Sequence, residues 1–476
     1  MGTDLLLFAR ATSWLVIGFF VVLAALVLWW PLNALFVHIP LSYNEGWNAF
    51  HALRLRTGSP LYPPVSPSVF INYPPLSFYI VSALGGVIGD DIIAGRLVAL
   101  AALLITALNV GLAARRLGAP TEIAIAAGLA FLCFISIYFT DYVGVDDPQW
   151  LAQAFQSCAL VIVFGGKRDW RTMTVIALLV VAGLFVKHNV LSLPLGITLW
   201  LLIEDRKALL RWLISAAAIG IAALSLCLVL YGTSFLAQLV GSRTTSFDVL
   251  ILVGRHWGPQ ILPFLLAAAA GAYLWRKDSL GRFVGIYLAA SLLVGVVLMT
   301  GAGVIYNTLF DLVIAIMLGC ALLLRRLVEA ANTDNARAST TTIALIILAA
   351  RFIMISPAAQ NGYTDMRADL DQRDAWASTI DHIRSEPKPV ACETLALCYW
   401  AGRPSEIEFF NYGQKLLLDP GYAAGFTRRI EAREIGLIQR DIAGGAERLN
   451  PALEAVISAN YRLVGEVPTA LWVPID

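Results

Sequence analysis

The fold class this sequence predicts is a polytopic α-helical membrane protein with a C-terminal α/β domain outside the membrane. Three observations carry that expectation: the composition, a row of long apolar segments, and a sharp change of character near residue 357. The chain has 476 residues, of which 58% are hydrophobic and only 14% charged. Its mean hydropathy is +0.73. Soluble globular domains carry about 45–50% apolar and about 25% charged residues. A soluble enzyme is therefore excluded, and so is disorder, which needs low hydrophobicity and high net charge. The formal net charge is +1, from 34 Lys+Arg against 33 Asp+Glu. That balance lacks the basic surplus of a nucleic-acid binder, so no nucleic-acid partner is expected.

A transmembrane helix needs about 20 mostly apolar residues. About eleven segments qualify or nearly do: 12–37, 92–113, 121–140, 150–166, 172–187, 189–203, 210–231, 259–275, 283–301, 304–324 and 339–356. The first is too long for a signal peptide and no small-residue cleavage site follows it, so it reads as a retained anchor. Residues 75–88 are apolar but short, which suits an interfacial helix.

Orientation follows from the basic residues of short loops. Arg10, Arg115, Arg116, Lys167, Arg168, Arg171, Arg206, Lys207, Arg211, Arg276, Lys277, Arg282, Arg325, Arg326 and Arg337 fall in one set of alternate loops. Only Arg54, Arg56, Arg96, Lys187, Arg243 and Arg255 fall in the other. The richer set marks the cytoplasmic side. The N-terminus is then inside and the tail outside. Residues 1–356 form the membrane domain, with an outer loop at 39–91 that carries interfacial helices. Residues 357–476 form the tail domain. Its expected parts are an amphipathic helix at 368–385, strands at 389–392, 434–439, 461–465 and 470–474, and a helix near 451–459. Cys133, Cys158, Cys227 and Cys320 sit in spans and read as small apolar fillers. Cys392 and Cys398 lie in the tail, where the spacing permits a bridge without requiring one.

Charged groups beside a membrane mouth are costly and often functional. Glu45 begins a short helix among aromatics and amides (Tyr43, Asn44, Trp47, Asn48), a composition suited to sugars. A carboxylate also suits a helix N-terminus for purely structural reasons. Asp141, Asp146 and Asp147 lie in one otherwise uncharged outer loop. Asp147-Pro148 also fits a helix start. Lys187-His188-Asn189 forms the whole turn between two short spans, where a lysine either snorkels or meets a phosphate. Arg255-His256 precedes span eight, and Tyr306-Asn307 lies at the outer end of span ten.

At these residues the chain resembles the GT-C superfamily of integral-membrane glycosyltransferases. The closest likeness is to the bacterial branch related to protein O-mannosyltransferases and lipid A aminoarabinose transferases. The matching features run in order. They are Asn44-Glu45-Gly46-Trp47, the turn from Gly58 to Tyr62, Tyr73-Pro74-Pro75-Leu76, Asp147-Pro148, Lys187 and Tyr306-Asn307. In the tail they are Pro389-Val390, Ala401-Gly402-Arg403-Pro404 and Asn460-Tyr461. The resemblance implies a bacterial inner-membrane enzyme. It would move a hexosyl or pentosyl unit from a polyprenyl-phosphate donor to a hydroxyl of a lipid, glycan or protein acceptor, with inversion, among membrane lipids.

Relatives often carry Asp-Glu after the first span. Here the first position is Asn44, and an amide cannot take a proton. The resemblance therefore passes the base role to Glu45, alone or shared with Asp147, which would also position the acceptor. Lys187 and Arg255 would meet the leaving phosphate. Asn44, Trp47, Arg54, Tyr73, Asp146, His256, Tyr306 and Asn307 complete the substrate-binding set it implies. No cofactor is required, and a divalent metal would have room near Glu45, Asp147 and His256. Two rival classes are a transporter or flippase of lipid-linked sugars and a catalytically silent acceptor-binding protein. A transporter would show midplane charges and internal repeats. The charges here cluster at one face, Arg351 excepted, and no repeat is present.

Overall fold

The computed structural model describes residues 2–64, 66, 70–240, 244–355, 357–419, 421, 424–440, 451–465 and 468–475. Arg243 of the sparse basic set lies outside them. The membrane part runs α1 (Gly2–Ala34), α2 (Tyr43–Arg56), α3 (Leu76–Ile88), α4 (Asp91–Arg116), α5 (Thr121–Tyr138), α6 (Gln149–Val163) and α7 (Trp170–Val186). It continues α8 (Ser192–Glu204), α9 (Arg206–Tyr231), α10 (Thr233–Leu239), α11 (Asp248–Leu274), α12 (Ser279–Leu298), α13 (Phe310–Glu329) and α14 (Asp334–Ile355). Each of the eleven apolar segments falls on one of these helices. Eight helices among the described residues are long and apolar enough to cross a membrane, while α6, α7 and α8 are shorter. The expected interfacial helix is α3, closed by Gly89 in the left-handed conformation (φ 92°).

Burial sorts the helices into layers. α13 and α5 are enclosed over most of their length, whereas α9 and α11 expose most of theirs. Leu226, Val229, Leu252 and Leu266 are among their bare apolar side chains, the surface a bilayer covers. One difference from expectation matters. α11 starts at Asp248, not at 259, and runs through Pro259 and Pro263. A proline removes one helical hydrogen bond without ending a membrane helix, because neighbours re-satisfy the freed groups. Arg255 and His256 therefore sit inside a helix, not in a turn before it.

The tail comprises α15 (Pro357–Gly362), α16 (Thr364–Asp371), α17 (Arg373–Ser385), β1 (Val390–Cys392), α18 (Leu395–Trp400), α19 (Phe409–Leu418) and α20 (Ala424–Glu431). Then come β2 (Leu437–Arg440), α21 (Pro451–Asn460), β3 (Tyr461–Gly465) and β4 (Ala470–Pro474). The expected helix at 368–385 is broken at Gln372, between α16 and α17. The four strands make one sheet in the order β1-β2-β4-β3, with β1 and β2 parallel and the other pairs antiparallel. Ala391, Ile438, Phe409, Tyr412, Ile430 and Ile457 form its apolar core. Cys392 and Cys398 are joined by a disulfide, which resolves what spacing left open.

That disulfide ties β1 to α18, and α18 is what meets the membrane part. Gly46 of α2 makes the approach possible, because a Cβ there would lie 2.0 Å from the Ala396 backbone nitrogen. Beside it, the Tyr399 hydroxyl donates to the Asp91 carboxylate at 3.0 Å and accepts from the Asp91 amide at 2.9 Å. Trp400 Nε1 donates to Asp90 at 3.0 Å. Asp91 is also paired with Arg56 at 2.8 Å.

Candidate active site

α2 begins with Ser42, whose side chain accepts from the Asn44 amide and caps the helix. Glu45 lies in the first turn, and its carboxylate is fully buried. Arg96 of α4 meets it with two parallel bonds, Nε to Oε1 at 2.7 Å and Nη2 to Oε2 at 2.8 Å. The remaining carboxylate capacity accepts the Leu41 amide at 2.9 Å and the Asp146 amide at 3.2 Å. Arg96 spends its other donors on the carbonyls of Ala34, Val37 and Ile39. Both groups are thus saturated. The pair fixes the end of α1, the start of α2 and the acidic loop against α4. Arg96 is no headgroup anchor, and its partner lies 51 positions away.

The acidic loop is the second layer. Asp146 presses on α4 at Gly95, where a Cβ would lie 2.0 Å from its carboxyl carbon. Asn48 donates to the Asp146 carbonyl at 2.7 Å. Burial pushes the Asp146 carboxyl well above the usual carboxylate range, and the charges of Glu45 and Asp147 push it further. Its Oδ2 has no hydrogen-bond partner among the described residues. Asp147 Oδ1 accepts the Gln149 amide at 2.8 Å, which starts α6 as Asp-Pro suggested. The same oxygen accepts Lys187 Nζ at 2.9 Å. Asn44 Nδ2 reaches Asp147 Oδ2 at 3.4 Å. Lys187 also stands over the Tyr73 ring, 5.0 Å from its centroid. Burial pulls the Lys187 ammonium down, but Asp147 and Tyr73 together lift it above its ordinary value, so it stays charged.

Asn44, Tyr73, Asp146, Asp147 and Lys187 are therefore brought together around Glu45. Trp47 joins them indirectly: its ring meets Tyr73 edge-on at 5.0 Å and its Nε1 donates to the Phe70 carbonyl. Arg54 lies further along α2 and donates to the Pro60 carbonyl. Asn307 donates to Gln149 at 3.1 Å, next to the acidic loop. Tyr306 belongs to a neighbouring aromatic cluster with Phe139, Tyr142 and Trp257, and its hydroxyl bonds to Asp141. Arg255 and His256 are exposed on α11. His256 rests edge-on against Trp257, and among the described residues neither Arg255 nor His256 joins Asn44, Asp147 or Lys187 by a bond or ring contact.

An apolar groove of about 320 Å³ runs between α3, α7 and α9. Leu76, Phe185, Leu226 and Tyr231 are among its walls. From Leu178 to Phe185 it follows α7 for about 10 Å at 1.5 Å per residue, ending two residues before Lys187.

Among the described residues no three His, Cys, Asp or Glu side chains gather into a metal-holding group. Glu45 is committed to Arg96, and His256 does not join it. Glu45, Asp147 and His256, the residues foreseen near a divalent ion, are thus not gathered into one donor set among the described residues.

Residues 70–231 match a family described as 6-pyruvoyl-tetrahydropterin synthase related domain, membrane protein. The match runs from just before α3 to the end of α9. No curated protein sequence matches the chain. Solved structures do. ArnT from Cupriavidus metallidurans bound to undecaprenyl phosphate superposes with TM-score 0.61 at 13% identity, over 98% of each chain. The chain has the GT-C fold. The Archaeoglobus fulgidus oligosaccharyltransferase AglB, in complex with an inhibitory peptide and a dolichol-phosphate, gives TM-score 0.55 at 11% identity, over 98% of this chain and 75% of that one. A complex of the Archaeoglobus enzyme with Zn and sulfate gives 0.53 at 13%, over 96% and 73%.

Proposed function

We propose that this GT-C protein is a glycosyltransferase that takes a sugar from a polyprenyl-phosphate donor and passes it to an acceptor hydroxyl at the membrane surface. The observation that carries the reading is the buried Lys187–Asp147 pair, with Lys187 two residues along the chain from Phe185 in the wall of an apolar groove. The two similar structures named with polyprenyl or dolichol phosphates support it.

The groove takes the lipid tail and Lys187 takes the phosphate. A charged ammonium in a water-poor mouth is worth most where negative charge develops, on the departing phosphate oxygen. As Lys187 turns to the phosphate, Asp147 loses its cation partner. Asp147 then accepts the acceptor's proton, with Asn44 holding its second oxygen. The base role thus passes to Asp147, because all the hydrogen-bonding capacity of Glu45 is already used. Glu45 is a positioning residue that holds Arg96, the acidic loop and the start of α2 in register. In-line attack gives inversion. The transferred unit is a hexose or pentose, the N-terminus is cytoplasmic, and the tail is extracytoplasmic.

Purified protein given labelled polyprenyl-phosphate sugar releases the lipid phosphate. Asp147→Asn lowers release by about 100-fold or more, as loss of a general base commonly does. A transporter or a silent binding protein gives no release, and undiminished release by Asp147→Asn removes the base assignment.

A further inference from the structure

A second cavity, of about 430 Å³, lies between α2 and the tail. Trp47, His51 and Arg54 line it from α2, at the i, i+4, i+7 spacing of one helix face. The opposite face of α2 carries Glu45, Asn48 and Ala52, whose side chains are buried toward the membrane helices. From the tail come Tyr399, Arg403 and Ser405.

Three features point to an occupant. The first is unmet polarity. His51 is 4% exposed, and among the described residues neither of its ring nitrogens meets a partner in hydrogen-bond geometry; buried Arg403 Nε and Ser405 Oγ lack one there too. A buried polar atom left unpaired costs about 1–3 kcal/mol. Three such side chains lining one cavity are more than chance packing leaves. The second is charge. Two guanidinium groups line the space, while the carboxylate that lines it, Glu408, is already committed. It accepts the Tyr43 hydroxyl and the amides of Phe410 and Asn411. His51 adds no charge, because burial, and then the nearby Arg54, push its pKa down to about 3. The third is shape. Trp47, Phe50 and Tyr399 supply aromatic surface, and the volume falls within the range of small-molecule sites.

We propose that this cavity binds an acidic saccharide, one sugar unit carrying a carboxylate or a phosphate. The aromatic rings meet the sugar's apolar face, His51 and Ser405 meet its hydroxyls, and Arg54 and Arg403 meet its anionic group. Trp47 is a shared wall, since its ring touches Tyr73 and Tyr73 lies under Lys187. A saccharide here is therefore beside the reacting centre, where an acceptor would wait. Only that last step, that the saccharide is the acceptor, rests on the transferase reading; the binding itself does not.

The full-length chain in nanodiscs is titrated with glucuronic acid, glucose 6-phosphate, glucose and inorganic phosphate, read by saturation-transfer NMR. At least one acidic sugar binds tenfold or more tightly than glucose and than phosphate. Arg54→Gln combined with Arg403→Gln weakens it tenfold or more. Ser405→Asp, which removes no existing bond, weakens it likewise while the melting temperature holds. Glucose binding as well as the acidic sugars, phosphate binding as well as either, equal binding by the variants, or no saturable binding at all would each overturn the proposal. Lipid-phosphate release is measured on the same preparations. Binding without release sinks the transferase and spares this site, and release without binding does the reverse.

Discussion

The two ends of the helical bundle use the same charged residues in opposite ways. At the end away from the tail, Arg282 meets Glu204 and Arg168 meets Asp205, with side chains about a third exposed or less. Arg116, Arg211 and Arg325 donate to the carbonyls of Val161, Arg168 and Leu117, tying neighbouring loops together. These groups are wet, and such pairs contribute about 0–1 kcal/mol each. At the tail end, Glu45 and Arg96 are fully buried and Asp147 and Lys187 are 3% exposed. A buried pair repays its desolvation only with excellent geometry and full hydrogen bonding. The Glu45–Arg96 pair meets that condition. The Asp147–Lys187 pair meets it only partly, since Asn44 reaches Asp147 at a long 3.4 Å. One end fixes topology, and the other holds a rigid frame with a less satisfied pair beside it.

The largest expected effect comes from breaking the frame. Glu45→Gln leaves Arg96 buried without a counter-charge and costs about 3–5 kcal/mol. Thermal unfolding in detergent reads this as a large fall in melting temperature. A folded, active Glu45→Gln protein would return Glu45 to a dispensable role. Next is the disulfide. A bridge closing so short a loop contributes roughly 2 kcal/mol, and Cys392→Ser with Cys398→Ser loosens α18 from Asp90 and Asp91. Hydrogen exchange at α18 and α2 then rises, while exchange at α13 is unchanged.

Asp146 sharpens the contrast through pH. Its carboxyl pKa is raised in the folded state, so its neutral form is the one the fold favours. The stability it contributes is complete below the ordinary carboxylate value of about 4 and is lost as pH rises through its elevated value. Melting temperature measured against pH falls over that window in the wild type. Asp146→Asn flattens the fall, and an unchanged profile would contradict the assignment. The smallest effect is at the other end. Arg282→Ala leaves the melting temperature close to that of the wild type, because an exposed ion pair contributes little, and salt reduces even that.

These differences also show what a sequence reader sees. Spans, sparse outer charges and tail strands were legible because apolar runs and two-residue alternation are local signals. Asp147 stands out as one of three acids in an otherwise uncharged loop, and Lys187 as a single charge between two apolar spans. Arg96 stood out in the same way, but its role depends on Glu45, and no local pattern announces a pair 51 positions apart. Arg255 and His256 were misplaced because Pro259 looked like a helix start. α18 was invisible as six apolar residues between a strand and a turn, and the sheet order β1-β2-β4-β3 depends on pairings that no local pattern encodes. Composition marks Trp47 and the family resemblance marks Tyr73, while the edge-on contact of their rings, which links the cavity beside α2 to Lys187, has no local signal.

We propose that the Lys187–Asp147 pair serves chemistry and not folding. Lipid-phosphate release from labelled polyprenyl-phosphate sugar by the charge-neutral variant Lys187→Met with Asp147→Asn, which leaves no unpaired buried ion, tests this. The expected protein melts within a few degrees of the wild type and releases lipid phosphate at least 100-fold more slowly. Release at the wild-type rate from that folded variant would contradict it.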